Sequence, residues 1–177
     1  MSSIKRAAGF VRSQRGQTII EFAFIMPIVC LFLFVIVDFG IALDHRIVLQ
    51  HAAREGARYG AVNNDISFDS GSVQYRTAQQ AQGMVNTSDV VVCYTDPKTN
   101  QVKPNADVGD SVDVCIKTST GGPYTYDPII IRPIFSGLFG GTVGAIPMPV
   151  TGSARLEQKP TGSSDPRCPC PVPTPNP

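Results

Sequence analysis

The longest apolar run of this chain lies near its N-terminus, where residues 15–37 read RGQTIIEFAFIMPIVCLFLFVIV. About twenty consecutive residues are almost wholly apolar, and Glu21 is the only acid among them. Because a helix rises ~1.5 Å per residue, the run is long enough to cross a hydrocarbon core of ~30 Å. Asp38, Phe39 and Gly40 follow it in place of a small-x-small cleavage site, so a cleaved secretory signal fits poorly. The pattern predicts a transmembrane helix over 17–38.

The helical period continues beyond this span, because residues 39–62 contain no proline and carry apolar or small residues at helical spacing. Small residues four apart let another backbone approach closely, either a neighbouring subunit's helix or the domain's own sheet. Pro27 is expected to kink the membrane part of the helix. We therefore predict one long helix whose packing positions are Pro27, Ala53, Gly56, Ala57 and Gly60.

After residue 62 the pattern changes to that of a small exported domain over 63–157. Ser72 is a suitable N-cap for a helix over 73–85. β-branched and alternating runs predict strands over 89–95 and 111–118, paired as a hairpin, and a last strand over 150–157. The predicted fold is α+β, with a long N-terminal transmembrane and amphipathic helix packed on an antiparallel sheet of three to four strands.

The stretch over 128–150 is apolar, but prolines and four glycines interrupt it, so it is not predicted to be a second span. A short helix is expected over 133–138. Its apolar residues, Phe135, Leu138 and Phe139, are predicted to join the core, with contact to the membrane or to a partner as the alternatives.

Four of the five cysteines lie in this exported part. Cys93 and Cys115 fall in the middle of two strands, and a disulfide between them is predicted, with unpaired thiols as the alternative. It would stabilise the domain by roughly 3 kcal/mol in the chain-entropy model. Residues 158–177 are rich in proline and predict a disordered tail. For Cys168 and Cys170 in that tail, the sequence leaves open a partner chain, a lipid or a metal.

The flanking charges orient the span. Lys5, Arg6, Arg12 and Arg15 precede it without any acid, so residues 1–16 are predicted to be a cytoplasmic leader and the domain to lie outside. The chain has 15 basic and 14 acidic residues; without the leader, 11 and 14 remain, a net charge of −3. This balance does not indicate a nucleic-acid partner.

Glu21 is costly inside a membrane helix unless it is paired. One interpretation is that it lies near the cytoplasmic end and extends its carboxylate to the headgroups. The other follows from its spacing. If the chain were cut after Gly16, Gln17 would carry a new cationic N-terminus, and Glu21 would be the fifth residue of the mature chain. The ammonium could then pair with Glu21 of its own or a neighbouring helix, which makes Glu21 an assembly residue.

These residues resemble a known family. The run from Gly16 through Gln17 to Glu21-Phe22 resembles the processing site of type IV pilin-like proteins, with Gly before the cut and Glu at the fifth position after it. The continuation EFAFIMP, then DFG, then AAREGARYGA over 52–61, is similar to the TadE-like minor pseudopilins of the Flp/Tad (tight adherence) pilus. The resemblance covers roughly residues 15–62, and the C-terminal domain much more loosely.

The resemblance implies a pilin-like fold and a pseudopilin subunit that acts in pilus initiation, assembly or adherence. It also implies cleavage between Gly16 and Gln17 by a separate membrane prepilin peptidase. The implied partners are the membrane, that peptidase, other pilin and pseudopilin subunits and the assembly platform. The expected location is the cytoplasmic (inner) membrane, in a single pass, with the possibility of incorporation into an extracellular pilus.

Two alternatives come from other functional classes. One is an uncleaved, signal-anchored extracytoplasmic binding domain. The other is a membrane-tethered enzyme, which would need an unrecognised site within 128–150. No catalytic motif stands out, and His45 and His51 on one helix do not make a metal signature. The sequence therefore predicts neither an enzyme, a cofactor, a metal nor a small-molecule substrate.

Overall fold

The computed structural model describes residues 15–63, 69–118 and 121–170. The predicted leader over 1–16 lies outside this part of the chain, apart from the backbone of its last two residues. The last seven residues of the predicted tail also lie outside it. The side chains of the predicted processing pair, Gly16 and Gln17, are not described.

One helix, α1 (Arg15–Val62), carries the rest of the fold. It has 48 residues and passes through Pro27 without a break, so it is about 72 Å long at 1.5 Å per residue. The backbone N–H of Asn63 donates to the carbonyl of Tyr59 at 2.9 Å and closes the last turn. The predicted long helix that leaves the apolar span and enters the domain is confirmed.

A four-stranded antiparallel sheet packs on the second half of α1. Its strands are β1 (Val90–Thr95), β2 (Val102–Lys103), β3 (Ser111–Ile116) and β6 (Val150–Arg155), in the order β2-β1-β3-β6. Each strand is antiparallel to its neighbour, with Val92 opposite Val114 and Val114 opposite Gly152. The predicted α+β fold with a small antiparallel sheet is thus confirmed.

Helix α2 (Val73–Gln80) covers α1 beside the sheet. Its N-cap is the predicted Ser72, whose hydroxyl accepts from the backbone N–H of Tyr75 at 3.1 Å. The helix is shorter than the predicted 73–85. Gln82 and Gly83 adopt left-handed backbone angles, with φ of 53° and 79°, and a helix cannot continue through two such residues.

A second, two-stranded ribbon lies beside the half of α1 that enters the domain. It consists of β4 (Tyr124–Tyr126) and β5 (Ile146–Met148), and α3 (Ile131–Phe139) lies between them in the chain. The sequence predicted the helix but not this ribbon, because its strands have only three residues each and do not establish a period of two.

The core lies between α1 and the inner face of the sheet. Alternate residues of the strands point inward, as the β3 pattern predicted, and meet a row of small and apolar residues on α1. The buried members of this core include Leu49, Ala52, Ala53, Ala57, Val73, Val90, Val92, Tyr94, Val112, Val114, Ile116 and Val150.

The small residues of α1 allow close approach by this chain's own elements. A Cβ added at Gly56 would overlap the side chain of Thr77 on α2. A Cβ added at Gly60 would lie 3.3 Å from a methyl group of Val112. On the sheet, a Cβ at Gly152 would overlap the backbone of Ala53. Of the predicted packing residues, Ala53, Gly56, Ala57 and Gly60 therefore contact the domain itself, whereas Pro27 is exposed.

The long connection between β1 and β3 is organised by two acids around one lysine. Asp110 is buried, accepts from the backbone N–H of Asp107 at 2.9 Å, and pairs with Lys103 at 2.9 Å. Asp96 completes the group at 3.5 Å from the same ammonium. The backbone hydrogen bond from Asp107, followed by the Lys103 ammonium, lowers the pKa of Asp110.

We predict that Gly152→Ala destabilises the protein by about 1–3 kcal/mol, because β6 must move away from α1 to accommodate the new methyl group. Thermal unfolding of the detergent-extracted chain, followed by near-UV circular dichroism, measures the loss. Gly144→Ala is the matched control, since nothing lies within 4 Å of its Cβ position. Equal melting temperatures for the two variants would contradict the close packing of β6 on α1.

We predict that the stability lost in Asp110→Asn depends on pH. The folded-state pKa of Asp110 is lowered, so its contribution is complete above the ordinary carboxyl pKa of about 4 and disappears as the pH falls through the folded value. The difference in unfolding free energy between wild type and variant should therefore be largest near pH 7 and shrink below pH ~4. Urea titrations across this range measure it, and a constant difference would contradict the assigned ion pair.

Candidate functional site

The first half of α1 is bare. Every residue from 18 to 37 is exposed except Cys30, which is half-buried. Of the helices in the described part of the chain, this is the one long and apolar enough to cross a membrane. We call residues 18–37 the bare span. Its apolar side chains stay exposed, including those beside α3, so the membrane-spanning prediction agrees with the structure.

Glu21 lies on this bare span and is exposed. No ion pair involves it among the residues that the structure describes. It precedes Asp38 by seventeen residues, or about 26 Å along the helix axis. The two acids therefore lie at opposite ends of the apolar segment, and the role predicted for Glu21 in assembly stays a prediction.

From residue 18 onward, Asp38 is the first buried residue of α1, at 4% exposure. Its carboxylate accepts from the backbone N–H groups of Ile130, at 3.1 Å, and Ile131, at 2.6 Å. These N–H groups belong to the start of α3 and have no partner within that helix, so Asp38 caps α3 from a different element. Sequence reasoning did not assign this role. The available signal was an acid directly after the apolar run.

Next to Asp38, a small cluster joins α1 to the ribbon. We call the group of Asp38, Ala42, His45, Tyr126 and Met148 the neck. Ala42, Tyr126 and Met148 are buried together, and the His45 ring contacts Tyr126 edge-on, with centroids 5.2 Å apart. Burial raises the pKa of Tyr126, and the nearby Asp38 carboxylate raises it further. The neck attaches the ribbon and α3 to α1 where the bare span ends.

The prediction that the apolar residues of the short helix join the core is wrong for Phe135, which is 39% exposed. The side chains of Leu138 and Phe139 are not described. Phe135 and Ile134 face Leu31, Phe34 and Val35 of the bare span across a groove of about 240 Å³ lined only by apolar residues. Asp38 holds α3 beside the bare span, away from the core that the strands form with the second half of α1.

The structure corrects the predicted Cys93–Cys115 disulfide. Cys93 pairs with Cys168, and Cys115 pairs with Cys170. The two strand cysteines share the outer face of the sheet but are diagonal neighbours, since Cys93 lies opposite Asp113. Diagonal side chains are ~7–8 Å apart, whereas a disulfide needs Cβ atoms about 4 Å apart. Both thiols are instead joined to the C-terminal segment.

The prediction of a disordered tail is therefore wrong over residues 158–170, which we call the strap. Ser164 and Asp165 run along the edge of β1, where the Asp165 N–H donates to the carbonyl of Val92 at 3.0 Å. The hydroxyl of Ser164 accepts from the Tyr94 N–H at 3.0 Å. These bonds cover the part of the β1 edge that the short β2 leaves unpaired.

A buried lysine fixes the end of the strap. The Lys117 ammonium donates to the carbonyls of Arg167, at 2.6 Å, and Pro169, at 2.8 Å. Burial lowers the pKa of Lys117, and the positive charge of Arg167 lowers it further. Arg167 is itself held by Asp165, at 2.9 Å, and by the carbonyl of Ser88, at 2.7 Å.

The sulfur atoms of Cys93, Cys115 and Cys170 lie within 4.8 Å of one another, close enough in principle to share a metal ion. Zinc and similar ions are bound by thiolates. All the thiols of this cluster are consumed by the two disulfides, so in this state they offer no thiolate ligand. The cluster attaches the strap to the sheet.

We predict that non-reducing peptide mapping finds Cys93 linked to Cys168 and Cys115 linked to Cys170. The double variant Cys168→Ala/Cys170→Ala should lose about 4 kcal/mol or more of stability, since each bridge closes a loop of more than fifty residues. Urea unfolding under non-reducing conditions measures the loss. Cys30→Ala, a cysteine outside both bridges, serves as the control. A Cys93–Cys115 peptide would contradict this connectivity.

Comparison with known families assigns the N-terminal helix. Residues 16–58 match the family described as TadE-like protein. This segment contains the whole bare span, the neck position Asp38 and most of the face that packs on the sheet, and it ends before α2. No curated protein and no solved structure matches the chain. Through residues 16–58 this chain carries the signature of the TadE-like proteins, and the resemblance to the Flp/Tad pilus family is confirmed for that segment.

Proposed function

We propose that this chain is a minor pilin-like (pseudopilin) subunit of a Flp/Tad pilus, acting in pilus initiation, assembly or adherence. The TadE-like match supports the coarser conclusion that the protein is associated with a Tad pilus. The observation that carries the finer proposal is the form of α1. A bare apolar span continues, without a break, into a helix that forms the core of a small domain.

The bare span inserts into the cytoplasmic membrane, with the basic leader inside and the domain outside. The apolar residues between Glu21 and Asp38 extend about 26 Å, close to the ~30 Å of a hydrocarbon core. The disulfides of the domain agree with this orientation, because such bonds persist in oxidising compartments. The same exposed helix provides a surface for other pilin and pseudopilin subunits and for the assembly platform.

A membrane prepilin peptidase cuts the chain between Gly16 and Gln17. The two residues lie in the first turn of α1, where helices fray and where glycine is a weak helix former. Local opening of this turn exposes the peptide bond. Cleavage releases the basic leader and leaves a cationic amine on Gln17.

Glu21 lies four residues after Gln17, and residues at this spacing share one face of a helix. The new amine lies on the backbone at the start of the helix, about one turn and ~6 Å along the axis from Glu21. A carboxylate in this position is costly until a cation pairs with it. Pairing with the amine of a neighbouring subunit removes that cost only when the two helices are in register, which makes Glu21 an assembly residue.

We predict that the membrane-extracted chain begins at Gln17, and that Gly16→Ala leaves the first sixteen residues in place. Intact mass and N-terminal sequencing of protein from cells with the peptidase measure this. A wild-type chain that keeps its leader in such cells would contradict processing and favour an uncleaved anchored domain.

The same cells test Glu21. Glu21→Ala should still insert and be cut, but its recovery with other pilus subunits should fall at least about tenfold, because the cationic amine loses its partner. Glu55→Ala is the matched control, an exposed acid of α1 outside the span. Undiminished recovery of Glu21→Ala would contradict the pairing mechanism.

A groove on the outer face of the sheet favours a second candidate function, an uncleaved extracytoplasmic binding domain. It has a volume of about 240 Å³ and is lined mainly by polar residues: Thr95, Asn100, Ser111, Asp113, Thr151, Ser153, Pro169 and Cys170. Hydroxyl groups and a carboxylate could bind a polar wall component. This candidate predicts that the leader persists and that Glu21 is dispensable, so the two experiments above also test it.

A further inference from the structure

The apolar surface of this protein does not end with the bare span. Between Arg132 and Arg155 the chain has no charged residue, and this stretch contains most of α3 and the turn that follows it. Among its large side chains, Ile134, Phe135 and Ile146 are exposed. Met148 and Val150 of the same stretch are buried, so its exposed large apolar side chains lie in α3 and at the start of β5.

The position of this segment along α1 is fixed at two points. Asp38 holds the start of α3, while Ile134 and Phe135 lie beside Leu31 and Val35 of the bare span. From Asp38 to Leu31 is seven residues, or about 10 Å along the helix axis. Helix α3 therefore extends from the neck toward the middle of the span.

After α3, the chain returns to the domain. Gly140 ends the helix in a left-handed conformation, with φ of 66°, and Val143 also lines the groove beside Leu31. By Ile146 and Met148 the chain is back at the level of Ala42 on α1. Residues 131–146 thus run along α1 from the neck toward the middle of the span and then return to the domain.

Its polar groups are arranged along the same axis. The Asp127–Arg132 ion pair, at 2.9 Å, and the Asp38 carboxylate lie at the domain end of α3. Beyond them, the hydroxyl of Ser136 donates within the helix to the carbonyl of Pro133 at 3.1 Å. With this arrangement the charged groups can stay at the headgroups while the apolar side chains enter the acyl region.

We propose that residues 131–146 are embedded in the lipid leaflet on the domain side, as a second membrane-contacting element beside the span. The occupant of the exposed face is the headgroup and acyl-chain boundary of the bilayer. The inference rests on the membrane insertion of α1 proposed above. Given that insertion, Leu31 and Val35 lie within the hydrocarbon, and a helix packed beside them lies at the same depth. A displacement of about 10 Å along the span stays within one leaflet of a ~30 Å hydrocarbon core.

The embedded element limits how the domain can tilt. Two contacts with the bilayer, the span and α3, hold one side of the domain against the lipid surface. The sheet and its core, and the exposed Val108 at the far end of the domain, stay outside the bilayer. When a subunit leaves the bilayer for a filament, this face must find another cover.

The chain contains no tryptophan, so a single introduced tryptophan reports its own environment. We would reconstitute full-length Phe135→Trp in phosphatidylcholine vesicles at high lipid-to-protein ratio, with and without lipids brominated on the acyl chains. Phe32→Trp, 63% exposed on the bare span, is the membrane control, and Val108→Trp, 64% exposed at the far end of the domain, is the aqueous control.

The expected result for Phe135→Trp is a blue-shifted emission that brominated lipid quenches about twofold or more, as for Phe32→Trp, and that aqueous iodide does not quench. Val108→Trp should show the reverse. Ile134→Trp provides a second reporter on the same face if Phe135→Trp does not fold.

Each other outcome overturns the inference in a distinguishable way. Quenching of Phe135→Trp by iodide alone would place α3 in water. Protection from both quenchers would mean that protein covers it, either the core or a second subunit. Failure of brominated lipid to quench Phe32→Trp would show that α1 itself is not inserted, and the proposed anchoring would fall with it.

Discussion

The rest of the structure depends on one constraint, which is that α1 must bury apolar surface in two different environments. Its first half exposes an apolar segment that the domain leaves uncovered, and its second half is a wall of the domain core. Apolar burial is worth ~25 cal/mol per Å², so leaving the first half in water is unfavourable, whereas the domain buries one face of the second half. Because the helix is continuous, the orientation of the span in the membrane also sets the orientation of the domain.

The transition between these environments takes place at Asp38. A buried carboxylate is costly unless it is hydrogen-bonded, and here two backbone N–H groups at the start of α3 meet that need. The bond is reciprocal, since α3 lacks partners for these groups in its own chain segment. One acid at the end of the span thereby determines where α3 lies, and with it the second apolar surface of the protein.

The strap, which is attached to the outer face of the sheet, stabilises a domain that is small for its core. Two disulfides, the Lys117 ammonium and the backbone bonds along the β1 edge fix a segment that has no regular secondary structure. Domains of this size bury a limited share of their surface, and cross-links that close long loops reduce the entropy of the unfolded chain.

The sequence by itself determined the elements that local pattern specifies. The span, its continuation to Val62, the Ser72 cap and the alternation of β3 each follow from the period and chemistry of neighbouring residues. The resemblance to TadE-like proteins could be recognised from the sequence for the same reason, because residues 16–58 lie within one uninterrupted helix.

Only the tertiary structure decided which distant groups meet. The offset of Cys93 and Cys115 by one diagonal step depends on strand register, and it redirects both thiols to the strap. The capping of α3 by Asp38 joins residues more than ninety positions apart. Phe135 is exposed because α3 lies beside the bare span, away from the core between α1 and the sheet. These outcomes depend on register and on competition for space, which no local window of the sequence contains.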